Sequence, residues 1–397
     1  MMVTMTTPRT AEGRAISSWM EERIATYLES LRELCSIECP SGFKSGVDAA
    51  CRWVQDWADG RGWKVDRYPD YEAGDSLAIS LRGGAVGGLN VFLAAHLDTV
   101  YPIGTAVARP MAQLDDRLLA PGIADNKSGL LSGLFAMAAL EDLGLLECMS
   151  TITLFCGADE ESDMRTSLPL FAELAPHYSV ALVLEAGREN GDIVQARKTS
   201  AHYVLEVEGR EAHAGVEPHR GANAILSMAH RIVLLQALNE MRPGVTVNVG
   251  VVRGGTMPNV VPGYARAEID VRAVATADLE PVSQAIQTIV DSDDIPYTSA
   301  SLHGGWKAPP MPCTSEIAGL VTLARSCAEE LGFELNAAST GGVSYANYLA
   351  GLGLPVLDGL GPVGGLDHSP SEFILHSSIV PRTALLALLM LRQSGHN

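Results

Sequence analysis

The sequence predicts an α/β protein into which a smaller α+β unit is inserted. Up to about Arg197 and again from about Gly304, short apolar runs are separated by stretches with apolar positions at three-to-four spacing, the pattern of covered parallel strands and the helices that cover them. Between those limits the strands alternate apolar and polar residues, as strands with one covered face do. At 397 residues the chain is long enough for both parts.

Apolar spacing predicts helices over Ser18–Ile37 and Val47–Gly62. Ser76–Ser80 and Val91–Ala95 read as strands; the second has almost no alternation and is expected to be covered on both faces. A helix over Lys127–Leu143, a strand over Thr151–Cys156, a helix over Leu168–Ala175 and a strand over Val180–Leu184 continue the alternation. The inserted part reads as a strand over Tyr203–Glu208, a helix over Ala222–Leu238, strands over Val245–Val252 and Tyr264–Arg272, and a helix over Leu279–Val290. Helices over Thr314–Leu331 and Ser377–Leu391 then frame further short strands. These readings set domain limits at 1–197, 198–303 and 304–397, with no internal repeat or low-complexity tract.

Twenty-eight Lys and Arg against 47 Asp and Glu give a formal charge of −19, which repels phosphate backbones and anionic lipid, and no basic cluster overrides it. Nucleic acid and membrane surfaces are therefore not expected partners, while bound cations would relieve the self-repulsion. The seven cysteines lie mostly in apolar contexts and read as reduced core thiols. Met1 to Ala15 is polar, without an apolar leader segment, so a cytoplasmic address is expected.

His96 and Asp98 follow the apolar run Val91–Ala95 and, two residues apart, share one side of an extended chain. That placement suits a metal ligand and the carboxylate that orients it, and it equally suits a satisfied hydrogen bond. Asp125 stands at the mouth of a predicted helix, where the commonest role is an N-cap. Asp159-Glu160-Glu161 follows the strand ending at Cys156, and adjacent acids repel unless a cation or water separates them. Glu185 ends the run Val180–Leu184, and His368 lies in the Gly-rich segment 361–370. In a parallel sheet the carboxyl ends of strands gather on one edge, where ligands bind, so one geometric rule brings these positions together. Two histidines and three carboxylates with one acid to spare suit two close divalent ions bridged by an acid, and the lack of thiolates favours hydrolytic zinc, manganese or cobalt.

In this order the motifs resemble the co-catalytic zinc aminoacylase and carboxypeptidase family, which includes carboxypeptidase G, acetylornithine deacetylase and succinyl-diaminopimelate desuccinylase types. The resemblance rests on His96-x-Asp98, Gly122-x-x-Asp125-x-Lys127-x-Gly129, Asp159-Glu160-Glu161, Glu185, Glu211-Ala-His213-Ala-Gly215, Asn259-Val-Val-Pro262, Asp270-Val-Arg272 and His368, and covers nearly the whole chain. It implies a three-layer α/β/α zinc-peptidase catalytic domain with a ferredoxin-like lid or dimerisation domain. It implies Asp125 as the bridge, His96 and Glu185 completing one metal site, Glu161 and His368 the other, and a cis peptide at Asp125–Asn126. Asp98 would support His96, and Glu160 would be the general base and acid. His213 would stabilise the oxyanion, from a partner subunit in dimeric members. Asn259 and Arg272 would bind the substrate, the guanidinium pairing with its carboxylate. The substrate would be a small peptide or N-acyl amino acid, the activity carboxypeptidase G-like or an N-acyl amino acid deacylase or aromatic amidohydrolase on the same machinery, and the assembly a homodimer; the alternative from another class is a non-catalytic dimeric binding module that keeps the fold. The sequence departs from the family pattern at Ser162-Asp163-Met164 and at Ser344-Tyr345-Ala346-Asn347, where Tyr345 replaces an acid and either lines the pocket or packs in the core.

Overall fold

The computed structural model describes residues 8–292 and 295–395; the first seven residues of the polar N-terminal stretch lie outside them. The chain forms two units, one of residues 1–195, 313–339 and 344–397, the other of residues 196–312 and 340–343.

The first unit is built on a six-stranded sheet ordered Lys64–Tyr68, Ser76–Arg82, Met149–Gly157, Leu89–His96, Val180–Val183, Val356–Leu357. The last four run parallel; the first two join as an antiparallel edge. Side-chain alternation divides the strands between two layers. Val91, Leu93, Ala95, Ile152 and Leu154 face a core shared with the helices Ala11–Ser36, Ser128–Asp142, Ser315–Leu331 and Ile379–Gln393. Phe92 and Phe155 face the other way and pack on Phe171. This is the expected α/β/α layering. Helix Ser128–Asp142 is apolar all round because every residue from Ser128 to Leu140 is buried.

In the second unit, strands Thr246–Gly254, Tyr264–Ala273, Thr199–Glu208 and Ser299–Ala308 pair antiparallel in that order, and helices Ala224–Ala237 and Leu279–Val290 cover one face. Helix and strand order together are ferredoxin-like. The expected limit at residue 303 falls inside Ser299–Ala308, and is corrected to the neighbourhood of Pro312. Its exposed residues and the Gly304-Gly305 pair leave no clear strand pattern, yet pairing with Thr199–Glu208 makes it the sheet's fourth strand. Four helix starts move by two residues or more: Ala11 precedes the expected Ser18, with Thr10 capping the N–H of Gly13, Lys44 precedes Val47, Ala224 follows Ala222, and Ile379 follows Ser377. Among the described residues no helix is long and apolar enough to cross a membrane.

Candidate metal centre

The parallel strands end at one edge of the sheet, and the functional side chains follow from where they end. His96 is the last residue of Leu89–His96, the Asp159–Glu161 turn follows Met149–Gly157, and Glu185 lies two residues past Val183. Asp125 sits in the tight turn that starts helix Ser128–Asp142, and its peptide to Asn126 is cis, as the resemblance implies. Gly129 lets that helix approach the sheet: a Cβ there would stand 1.8 Å from the Leu184 carbonyl oxygen and 2.3 Å from Asn126 Oδ1. His368 is held at φ +60°, a left-handed conformation that few non-glycine residues adopt.

Asp125 is shared. Its Oδ1 lies 2.8 Å from His96 Nε2, and its Oδ2 lies 3.1 Å from His368 Nε2. His96 Nε2 is also 3.9 Å from Glu185 Oε1, and His368 Nε2 is 3.1 Å from Glu161 Oε1. Two donor sets result, His96–Asp125–Glu185 and Asp125–Glu161–His368, each with its ligand atoms within 4.8 Å of one another. The donors are carboxylate oxygens and imidazole nitrogens, the set that suits a divalent hydrolytic ion and excludes a thiolate-rich structural site.

Asp98 is fully buried and organises both sides. The other ring nitrogen of His96, Nδ1, lies 2.9 Å from the Asp98 carbonyl and 3.3 Å from its Oδ1, which directs Nε2 toward Asp125. The same carboxylate accepts the backbone N–H of Glu160 at 3.0 Å and of Glu161 at 3.1 Å, and the Ser41 hydroxyl at 2.6 Å. It therefore fixes the backbone from which the two glutamates diverge.

The electrostatics follow from burial and this pairing. Burial pulls the His96 pKa down, but the carboxylates of Asp125 and Asp98 outweigh it and hold the ring well above its ordinary value. Hydrogen bonding to Asp125 raises His368 to about 9. Burial works against ionised Asp125, yet His368 and His96 hold its carboxyl far below the ordinary range. Burial pushes Glu161 up to about 7 and Glu160 well above its ordinary value, with Glu185, Asp125 and Glu161 adding repulsion at Glu160. A bound cation would lower proton affinity at its ligands, opposing the upward shifts at His96, His368 and Glu161 and reinforcing the downward one at Asp125.

His213, Asn259 and Arg272 lie in the second unit. The strand Ala212–His213 pairs with Val260–Val261, and the Ala214 N–H donates to the Asn259 carbonyl at 2.9 Å, so His213 and Asn259 are neighbours. The exposed His213 ring accepts the Gly215 N–H on Nδ1 at 3.1 Å, which makes Nε2 the protonated nitrogen of the neutral ring. Arg272 lies near the far end of Tyr264–Ala273, where Asp270 takes its Nε and Nη2 at 2.9 Å each. Among the described residues Nη1 makes one contact, to the Gly341 carbonyl at 3.4 Å, which leaves a donor on that side for a second anion.

Tyr345 packs in the core, its ring 4.8 Å from that of Phe171 and its hydroxyl 2.9 Å from Ser167 Oγ. The pocket-lining alternative is thereby excluded. Sequence reasoning missed Ser41, Tyr101 and Glu372. The buried Glu372 carboxylate accepts backbone N–H groups from the Asp125 turn, and Glu372 stands four residues after His368.

Residues 195–298 match the model of the peptidase dimerisation domain family. Over 372 residues, 93% of this chain and 89% of the relative, the sequence is 25% identical to carboxypeptidase G2 of Pseudomonas sp. strain RS-16. It is 29% identical to acetylornithine deacetylase of Myxococcus xanthus over 226 residues, 53% of this chain and 57% of that one. The fold superposes on the crystal structure of the aminopeptidase PepT of Bacillus cereus with a TM-score of 0.78 at 22% identity, covering 94% of this chain and 98% of that one.

Proposed function

We propose a reaction for a chain that belongs to the co-catalytic metallopeptidase and aminoacylase family and is, like its relatives, a hydrolase: it cleaves the amide bond of an N-acyl amino acid or small peptide and releases an amino acid, in the manner of a glutamate carboxypeptidase. The observation that carries this reading is the pair of donor sets joined through Asp125.

His96, Asp125 and Glu185 would hold one divalent ion, and Asp125, Glu161 and His368 the other, zinc before manganese or cobalt on the donor types. When bound, such ions supply Lewis acidity to the attacking water and to the scissile carbonyl. Glu160 takes the proton of that water and passes it to the leaving nitrogen. Burial raises the proton affinity of its carboxyl, as this task requires, and its N–H bond to Asp98 fixes the backbone that carries it. Asp98 keeps His96 in the tautomer that offers Nε2. His213 supplies an Nε2–H donor to the developing oxyanion. Arg272, with its Nη1 side open, and Asn259 receive the substrate carboxylate and its polar neighbours.

The dimerisation domain supports a homodimer. Its edge strand Thr246–Gly254 exposes Val251 and Val252, and helix Ala224–Ala237 exposes Ile225, Val233 and Leu234. Free thiols at all seven cysteines fit a reducing compartment, and the proposed address is cytoplasmic.

The test is hydrolysis of a panel of N-acyl amino acids and C-terminal glutamate amides before and after chelation. Release of the amino acid that stops with chelator and returns with zinc, manganese or cobalt is the expected outcome. No turnover of any member with each metal restored would overturn the reading.

A further inference from the structure

We infer that Glu372 is a positioning residue that sets the orientation of Asp125, and through it the affinity of the centre for its cations; the inference rests on the metal-hydrolase reading above. Glu372 is 2% exposed, and no lysine, arginine or histidine pairs with it among the described residues. Its charge is met by hydrogen bonds instead. Oε1 accepts the N–H of Ala124 at 2.8 Å and of Asp125 at 3.0 Å. Oε2 accepts the N–H of Gly122 at 2.8 Å and lies 2.6 Å from the Tyr101 hydroxyl.

The three amides belong to the turn that presents Asp125. Gly122 at φ +71° turns the chain so that its neighbours' N–H groups converge, and a convergent set of amides needs an anion at its focus. The side chain of Lys127, the cation within that segment, is directed elsewhere, its Nζ donating to the Ile37 carbonyl at 2.9 Å. Glu372 is thus the group that holds the turn from inside. Replacing one of its oxygens by an amide NH2 would leave the buried N–H donors on that side without an acceptor, weaken the bonds on the other, and free the turn to relax.

The same carboxylate ties together three segments that carry the proposed ligands. Tyr101 lies five residues past His96, and its hydroxyl also stands 2.9 Å from the Ser369 carbonyl, next to His368. Glu372 therefore relates His96, Asp125 and His368 through one buried point. The two oxygens of Asp125 face opposite histidines at 2.8 and 3.1 Å, so a small rotation of the turn spoils both donor sets at once. Partners of this outer kind typically change metal affinity by about 10- to 100-fold.

The experiment titrates cobalt(II) into chelator-treated protein, read by visible absorption, with the thermal melt of the chelated protein as the measure of fold. Glu372→Gln keeps the shape and loses the charge. A cooperative melt, at least about tenfold weaker cobalt binding and altered absorption bands are expected, with kcat falling and KM nearly unchanged. Tyr101→Phe removes one of the four bonds and should shift the same readings by a smaller factor; it decides the matter alone if Glu372→Gln does not fold. Wild-type cobalt affinity and spectrum in the folded variants would overturn the inference and leave the hydrolase reading standing. A wild-type chain that binds no cobalt would overturn that reading and the inference with it.

Discussion

Glu160 and Glu161 are adjacent yet meet different demands, and the difference can be measured. Glu161 lies 3.1 Å from His368 in a donor set, while Glu160 is half-buried and outside both sets. Glu160→Gln should therefore keep two ions per chain and lose kcat by about 10²–10⁴-fold; kcat near wild type would remove Glu160 from the chemistry. Arg272→Ala should raise KM for carboxylate-bearing substrates by about tenfold or more and leave metal content unchanged, and an unaltered substrate profile would retire the carboxylate clamp. Among the proposed ligands, His96, Glu161 and Glu185 were legible because the carboxyl ends of parallel strands gather on one edge, whereas Asp125 at a helix mouth and His368 in a Gly-rich segment took their roles from the motif resemblance. Glu372, Ser41 and Tyr101 were not, because their partners are backbone amides and other second-layer groups, which leave no residue-type pattern. Tyr345 shows the same limit: sequence cannot distinguish a ring that lines a pocket from one that fills a core.

At the scale of elements, the edge of the first sheet is fastened by Asp75. Burial alone would raise its carboxyl, but Arg67 Nε at 2.6 Å and Lys44 Nζ at 3.0 Å more than offset this and hold it below the ordinary range. A carboxyl lowered in the folded state contributes stability that is fully present above its unfolded pKa of about 3.9 and is lost as pH falls through the folded value. Urea unfolding should show Asp75→Asn less stable than wild type at neutral pH, with the gap closing as pH drops below about 4. A gap that does not change with pH would contradict the ion-pair account. Gly129→Ala meets the Leu184 carbonyl and should cost about 1–3 kcal/mol, checked by the shift in the urea midpoint. Most helices, and the strands that lie in apolar runs or alternate clearly, were legible; Lys64–Tyr68, Ile193–Arg197 and several strands of two or three residues carry too little pattern to read. Ser299–Ala308 was not: much of it is exposed and it carries a glycine pair, so only its pairing with Thr199–Glu208 identifies it as a strand.

At the scale of the whole molecule, the dimerisation domain and the proposed metal centre make separable predictions. Val233→Glu on the exposed face of Ala224–Ala237 should halve the mass seen by light scattering, and an unchanged mass would move the interface elsewhere. If His213 acts from the partner subunit, co-expressed His213→Ala and Glu160→Ala chains, each inactive alone, should recover roughly a quarter of wild-type activity. No recovery would place His213 in its own subunit's reaction or outside it. The central claim is that Asp125 joins two divalent ions in one centre. The measurement that tests it most directly is elemental metal content per chain after dialysis against zinc, in wild type and in Asp125→Ala. Two zinc ions per wild-type chain and none in the variant are predicted. One ion or none in wild type, or two retained without Asp125, would contradict the account.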